Sequence, residues 1–339
     1  MPAAAAAAAP LSTMKQAQVT TWGAAPHCAT VPTPAAPAET DELVQIRVLA
    51  AGLPTLVRSR AAGTHYSTAA ARLANQTPHV PGVDGVGATV PDGRLVYFAT
   101  FAPLGGTFAQ YVNAPRGALV PVPVDAGKDE KAVVDLAVQV AGQMNPVMAS
   151  WMALAARMND LKPGFTAVVV GATGLAGAAA VGVARAFGAG RVVGVGRDAA
   201  KMRADGLGLD AVVVLDGERT DYGDAAEADV VLDFLYGPPT LGLLRALKPK
   251  GPVQYVQIGT VVDRDMALPG DILRSKDITI RGVGPGSWRM EDFAAEAPRM
   301  IEAIVAGKIR PYKFQEVKLE DIEEAWGQKG GDRMVIVPQ

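Results

Sequence analysis

The stretch that most constrains the fold is "GATGLAG" at residues 171–177. It follows the apolar, β-branched run "FTAVVV" and precedes "AAAVGVARAFGAG", whose apolar residues have helical spacing. A strand that leads through a glycine-rich turn into a helix brings main-chain amides and the positive end of the helix to a pyrophosphate. Glycines at this spacing also mark ordinary turns. The flanking strand and helix, however, meet the requirement for a dinucleotide-binding loop.

The predicted loop contacts come from consecutive residues, in which Gly174 allows close approach to the ligand and Gly177 close packing of helix on strand. These residues are Gly171, Ala172, Thr173, Gly174, Leu175, Ala176 and Gly177.

The end of the next strand selects the dinucleotide. This strand, "RVVGVG", ends at Gly196, 19 residues beyond Gly177, and Arg197 follows. NAD requires an acidic side chain at this end, whereas a small residue followed by an arginine suits the 2′-phosphate of NADPH. Lys201 adds a second cation to the same pocket. Asp198 lies one position too late for the contact that NAD requires, but it leaves NAD as an alternative cofactor. The alternative for Arg197 and Lys201 is a solvated helix start. We expect NADPH.

Helices and strands alternate after the glycine loop, which predicts a doubly wound parallel sheet in an α/β protein. The predicted strands are 191–196, 211–215, 229–233, 253–258 and 277–283, with helices at 175–188, 198–206 and 239–247. The first third of the chain is β-rich. The segment after 291 breaks the alternation, so we expect it to pack on the β-rich domain.

Composition excludes several classes of function. With 339 residues, 49% hydrophobic, and no apolar run long enough to span a bilayer, we expect a soluble two-domain protein and no membrane partner. A net charge of −2 without a basic stripe argues against nucleic acid and for a small-molecule substrate. Cys28 is the single cysteine, which fits a reducing compartment, the cytoplasm.

The order of motifs along residues 14–339 resembles the zinc-independent quinone oxidoreductase branch of the medium-chain dehydrogenases/reductases. The matching segments are "AAGLPTLVRSRAAGTHY", "PHVPGVDGVG", "LKPGFTAVVVGATGLAG", "VVLDFLYG" and "VQIGT". The resemblance implies a Rossmann NADP-binding domain at 126–284 and a β-rich GroES-like catalytic domain at 14–125 and 285–339. Residues 1–13 are predicted to be a disordered tail.

The zinc ligands of the wider family are missing. Zinc-dependent members carry a cysteine in the segment that matches Ala50 to Gly52, and Gly-His-Glu where this chain has "GVD" at 82–84. We therefore expect no metal, and we interpret the histidines, His27, His65 and His79, as loop or packing residues. Pro54 stands where the quinone oxidoreductases carry an asparagine, which predicts a different substrate pocket.

The resemblance also implies which residues surround the nicotinamide. Several of them are apolar, and apolar residues in such positions are often buried in the core without contacting a ligand. The implied residues are Asn145, Met148, Leu235, Tyr236, Ile258, Gly259 and Gly284. Tyr66 matches a family tyrosine beside the substrate, where a phenol can bind a carbonyl oxygen or donate a proton. The alternative for Tyr66 is a loop tyrosine with its hydroxyl in water.

These features predict an NADPH-dependent, metal-free reductase that transfers hydride to a quinone or an activated C=C or C=O bond. An enoyl reductase of a specialised biosynthetic pathway and a non-catalytic NADPH-binding sensor are the alternatives. A short-chain reductase is excluded, since no tyrosine has a lysine four residues later. The strand "ITIRGVG" is expected to form an open sheet edge that pairs with a second copy in a homodimer.

Overall fold

The computed structural model describes residues 12–38, 42–100, 106–125, 127–204, 206–328 and 334–339. Of the predicted disordered tail at 1–13, residues 1–11 lie outside this description. Contacts divide the chain into two compact units, Met1–Asn145 with Pro311–Gln339 and Pro146–Arg310.

The strands of the described residues are two to ten residues long, and most of their buried positions are apolar. They are β1 (Thr13–Gln18), β2 (His27–Pro32), β3 (Leu43–Gly52), β4 (Asp84–Thr89), β5 (Leu95–Ala99), β6 (Tyr111–Pro115), β7 (Val120–Pro121), β8 (Thr166–Val170), β9 (Arg191–Gly196), β10 (Ala211–Val214), β11 (Val230–Asp233), β12 (Val253–Gln257), β13 (Ile278–Gly282), β14 (Gln315–Val317) and β15 (Met334–Ile336).

The α-helices range from five residues to 26. They are α1 (Thr55–Ala61), α2 (Ala69–Leu73), α3 (Glu130–Ala155), α4 (Leu175–Ala186), α5 (Ala199–Arg203), α6 (Pro238–Ala246), α7 (Gly270–Ser275), α8 (Met290–Val305) and α9 (Ile322–Gly327).

The first unit is built on a largely antiparallel sheet with the strand order β14-β15-β3-β4-β5-β7, in which β6 also pairs with β3. Strand β3 is buried at most positions because it has neighbours on both sides, and Ile46 and Val48 lie in the core with Phe98 and Phe108. Strands β1 and β2 form a separate antiparallel ribbon. The prediction of a β-rich domain separate from the α/β domain is confirmed, and the chain end joins its sheet through β14 and β15. The expectation that the whole segment after 291 packs there is wrong for α8, which groups with the other unit.

The second unit holds a parallel sheet with the order β10-β9-β8-β11-β12-β13. The chain starts at the central strand β8, builds outward to β10, and then returns to add β11, β12 and β13 on the other side. This reversal next to β8 is the switch point at which open α/β sheets bind their ligands. The prediction of a doubly wound Rossmann sheet is confirmed.

The compact units divide the chain differently from the predicted domains, at 145/146 and 310/311 rather than at 125/126 and 284/285. The first half of α3 groups with the unit that holds the antiparallel sheet, and within that unit the Gln139 amide donates to the Tyr312 carbonyl at 2.7 Å. Helix α8 groups with the unit that holds the parallel sheet, and within that unit the indole of Trp151, on the second half of α3, donates to Glu296 at 2.7 Å.

A buried carboxyl group lies at the start of β4. Asp84 is 1% exposed and accepts a hydrogen bond from the Tyr97 hydroxyl at 2.9 Å, while its second carboxyl oxygen has no partner among the described residues. Burial raises the pKa of Asp84 from 3.8 to about 7, and the Tyr97 hydrogen bond opposes part of that rise. Asp84 is therefore protonated in the folded protein at mildly acidic pH.

Asp84→Asn should flatten the pH dependence of stability. The unfolded chain loses the Asp84 proton near pH 4 and the folded chain near pH 7, so the free energy of unfolding of the wild type falls by about 4 kcal/mol across that range. Urea unfolding of both proteins between those pH values measures the difference, which should grow in favour of Asp84→Asn as pH rises. Tyr97→Phe removes a hydrogen bond that favours ionisation and should move the fall to higher pH. Equal slopes for wild type and Asp84→Asn contradict this assignment.

Candidate functional site

The glycine loop joins β8 to α4 at the carboxyl end of the parallel sheet. Gly171 has φ +95°, and its N–H donates to the carbonyl of Val195 in β9 at 2.8 Å. A Cβ atom on Gly177 would lie 2.1 Å from the Gly171 carbonyl oxygen, so the first turn of α4 approaches the loop as closely as only glycine permits. The predicted packing role of Gly177 agrees with this geometry.

Gly174, in contrast, faces open space. A Cβ atom there would have only the Gly171 carbonyl oxygen near it, at 3.6 Å, and Gly174 has an ordinary extended conformation. No side chain caps the start of α4, so the main-chain N–H groups of its first turn are open to an anion. The side chains of Ala172 and Leu175 are buried, which leaves only their main chain for a ligand.

The carboxyl end of β9 carries an open cation. Gly196 is buried, and a Cβ atom there would lie 3.2 Å from the Met202 sulfur. Arg197 is exposed and forms no ion pair or hydrogen bond with any described residue. Asp198 instead caps α5, accepting from the Lys201 N–H at 2.9 Å, and the Lys201 Nζ atom lies 3.8 Å from the same carboxylate. The capping carboxylate offsets the Lys201 charge and leaves Arg197 as the stronger candidate for a phosphate.

The carboxyl ends of β11 and β12 bring the next predicted residues together. The Asp233 carbonyl accepts from the N–H groups of Ile258 and Gly259 at 2.8 and 3.0 Å. A Cβ atom on Gly259 would lie 2.7 Å from the Phe234 carbonyl oxygen, which excludes larger residues. Tyr236 has φ +60°, a left-handed conformation that is costly for a tyrosine.

Asp233 is the residue that sequence reasoning missed. Its side chain is fully buried and accepts from the N–H groups of Leu235 and Tyr236 at 2.9 and 3.1 Å, and from the hydroxyls of Thr240 and Tyr255. Burial and the Asp233 charge raise the pKa of Tyr255 above its ordinary value, so this hydroxyl stays a donor. The available signal was a carboxylate at the end of an otherwise apolar strand, "VVLD".

The other residues predicted to lie near the nicotinamide are on α3 and in the turn after β13. Met148 is buried in α3, and Asn145 is half-buried on the same helix but groups with the first unit. The Gly284 N–H and carbonyl both bond to Ser287, which makes a tight turn after β13.

Tyr66 lies in the first unit, at the start of a short 3₁₀ helix, and is 68% exposed. Its ring lies against His65, with centroids 4.1 Å apart. Burial and the nearby Arg60 charge lower the pKa of His65, which favours the neutral imidazole. Burial also lowers the pKa of Arg60, and the neighbouring Tyr66 opposes part of that change. His79 packs against the Trp22 ring at 4.3 Å, a packing role as predicted.

Two further observations concern metals and membranes. The described part of the chain contains no group of three His, Cys, Asp or Glu side chains placed to hold a metal ion. Within the same residues, every helix is too short or too polar to cross a bilayer.

An α/β unit with a glycine loop at the switch point of a doubly wound sheet, together with a unit built on an antiparallel sheet, defines a dinucleotide-binding protein of the medium-chain dehydrogenase/reductase type. Comparison with known proteins agrees. The probable NADPH-dependent quinone reductase tdiC of Emericella nidulans is 33% identical over 369 aligned residues, which cover 96% of this chain and 100% of that protein. This chain belongs to the quinone oxidoreductase-like branch of that superfamily.

Solved structures show the same fold. A quinone oxidoreductase from Thermus thermophilus, also solved in complex with NADPH, matches with a TM-score of 0.74 and 23% identity, covering 96% of this chain and 100% of that one. The quinone oxidoreductase from Coxiella burnetii matches with a TM-score of 0.72 and 17% identity, covering 96% and 100%. No model of a protein family matches the chain.

Gly177→Ala and Gly174→Ala form a matched pair that tests the loop geometry through stability alone. The added methyl group of Gly177→Ala meets a main-chain oxygen and should cost about 1–3 kcal/mol. Gly174→Ala should change the free energy of unfolding by less than about 0.5 kcal/mol, because its methyl group faces open space. Thermal unfolding monitored by circular dichroism measures both, and equal losses would contradict the described packing of α4.

Proposed function

We propose that this protein is an NADPH-dependent reductase that transfers hydride to a quinone or to an activated C=C or C=O bond. The observation that carries the proposal is the uncapped start of α4 at the switch point of the sheet, together with the exposed Arg197 at the end of the neighbouring strand β9. The 33% identity to a probable NADPH-dependent quinone reductase supports the same activity.

The residues present suit this cofactor. The main-chain amides at the start of α4 would bind the pyrophosphate, where Gly174 leaves the space that a phosphate needs. Arg197, with Lys201 as a weaker second cation, would bind the 2′-phosphate. An acidic group for the 2′-hydroxyl of NAD is disfavoured here, since the Asp198 carboxylate already caps α5.

The segments at the ends of β11 and β12 would hold the nicotinamide. Leu235, Tyr236, Ile258 and Gly259 belong to these segments, and we also assign Asn145, Met148 and Gly284 to this half of the site. The reduced nicotinamide supplies the hydride when the cofactor is bound. The protein then has to orient the acceptor, exclude water and deliver a proton.

We assign the proton to Tyr66. Two-electron reduction of a quinone by hydride leaves the hydroquinone monoanion, and a phenol that donates its proton to the anionic oxygen completes the hydroquinone. Solvent returns the proton, because the Tyr66 side chain is largely exposed.

Metal-free chemistry, a homodimer and a cytoplasmic location complete the proposal. Val83 and the segment 50–52 lack the zinc-binding side chains of the wider family. Strand β13 pairs only with β12 among the described strands, and Ile280 on it is 41% exposed, which leaves an edge for a second copy. Static light scattering at the mass of a monomer would refute the dimer, and cell fractionation checks the location.

Arg197→Ala should lower the affinity for NADPH by about 10-fold or more and change that for NADH by less than about twofold, because only NADPH carries the 2′-phosphate. Titrations followed by nicotinamide fluorescence measure both ligands. Arg203→Ala, at the far end of α5, is the matched control and should leave both affinities unchanged. Tighter binding of NADH by the wild type, or no loss of NADPH affinity in Arg197→Ala, would contradict the cofactor assignment.

Oxidation of NADPH with a panel of quinones, enones and aldehydes tests the activity. We expect turnover with at least one quinone or enone, and a fall in kcat of about 100-fold in Tyr66→Phe without a change in the NADPH Kd. Binding of NADPH without oxidation above background would favour a non-catalytic sensor. Turnover with carrier-bound enoyl substrates alone would favour an enoyl reductase, and full activity of Tyr66→Phe would remove Tyr66 from the mechanism.

A further inference from the structure

The Asp233 carboxylate is the most completely bonded buried polar group of the second unit. A carboxylate offers about four acceptor positions, and here four donors converge on them, two main-chain N–H groups and two hydroxyls. A carboxylate without access to water is tolerated only when it is bonded in this way. The two hydroxyls come from α6 and β12, so the carboxylate connects three elements.

The bonds to Asp233 hold a strained loop. Residues 234–237 connect β11 to α6, and both Tyr236 and Gly237 have positive φ, +60° and +77°. For tyrosine this conformation persists only where the surroundings impose it. Oδ1 of Asp233 accepts hydrogen bonds from the N–H groups of Leu235 and Tyr236. These bonds hold the loop at Tyr236, the residue for which a positive φ is least favourable.

The same residue fixes the neighbouring segment. Its carbonyl oxygen accepts from Ile258 and Gly259, at the end of β12. Residues 261 and 262 then bond back to the carbonyls of Phe234 and Leu235 at 3.2 and 2.8 Å. Loop 234–237 and segment 258–262 are therefore one bonded layer, with Asp233 at its base.

The strand order indicates which half of a bound dinucleotide would lie next to this layer. A dinucleotide lies across the switch point, with its pyrophosphate over the central loop. Arg197, which suits the 2′-phosphate of the adenosine half, follows β9 on one side of β8. Strands β11 and β12 lie on the other side of β8, where the second nucleotide must extend.

We infer that Asp233, bonded by Thr240 and Tyr255, is the positioning residue for the nicotinamide half of the cofactor. Asp233 is too deeply buried to touch the cofactor, and it acts by setting the conformation of loop 234–237 and segment 258–259. This role rests on the proposed function, because it requires a dinucleotide at the switch point.

The test separates the two halves of the cofactor. Titration of the full-length protein with 2′,5′-ADP, which has the adenosine half alone, and with NADPH compares Asp233→Ala with the wild type. We expect Asp233→Ala to lose about 30-fold or more in NADPH affinity and less than about twofold in 2′,5′-ADP affinity. Asp233→Asn should recover most of the NADPH affinity, because its amide can still accept from the loop and donate to the two hydroxyls.

Asp229→Ala is the matched control. Asp229 directly precedes β11, at the other end of the strand from Asp233, and accepts from the Thr166 N–H at 2.8 Å and from Lys162. This variant should leave both ligands unchanged. Equal losses of both ligands in Asp233→Ala, or no loss of either, overturn the positioning role.

Tyr255→Phe and Tyr222→Phe give the same test in case Asp233→Ala does not fold. The Tyr255 hydroxyl donates to Asp233 at 2.7 Å, whereas the Tyr222 hydroxyl donates to the Pro239 carbonyl at 2.9 Å, outside the layer. Tyr255→Phe should weaken NADPH by about threefold to tenfold with 2′,5′-ADP unchanged, and Tyr222→Phe should change neither. If the wild-type protein binds 2′,5′-ADP and NADPH with equal affinity, or binds neither, the proposed function itself is contradicted. Normal NADPH binding in Tyr255→Phe overturns the inference alone.

Discussion

The close contact between the first turn of α4 and the loop that follows β8 is the constraint on which the parallel unit depends. With no side chain at Gly177, the helix packs against the Gly171 carbonyl and directs its first N–H groups past the end of the strand. A larger residue would push the helix away and take its positive end with it. Gly174, three residues earlier, is free of this constraint, since a Cβ atom there would meet only the Gly171 carbonyl oxygen, at 3.6 Å.

Two buried carboxyl groups in the chain illustrate opposite solutions to one physical problem. Asp84 has one donor, from Tyr97, and an oxygen without a partner in the described residues, so it takes up a proton near neutral pH. Asp233 has four donors and organises the loop around it. The number of donors, rather than the depth of burial, distinguishes these two buried carboxyl groups.

The sequence predicts the features whose signals are local. Strand 191–196 and the glycine-rich turn between a strand and a helix depend on neighbours within a few residues, and the structure has these elements as predicted. The roles of the loop residues and of Arg197 in cofactor binding stay predictions. The bonds of Asp233 to Thr240 and Tyr255 join elements that are distant along the chain, and no periodicity reveals them. The division at 145/146 inside α3 is equally hidden, since a helix has the same spacing whichever unit its side chains bond. The roles of the nicotinamide-side residues and of Tyr66 stay predictions.

The division of the chain into units also has a consequence for its synthesis. The parallel unit is one continuous segment, Pro146–Arg310, whereas the antiparallel unit needs both ends of the chain, including β14 and β15. During translation the parallel sheet has all its strands once residue 282 has left the ribosome. The sheet of the first unit waits for strands made last, with β3 exposed along the edge that β15 later covers. The sheet of the first unit is therefore complete only when the last strands of the chain have been made.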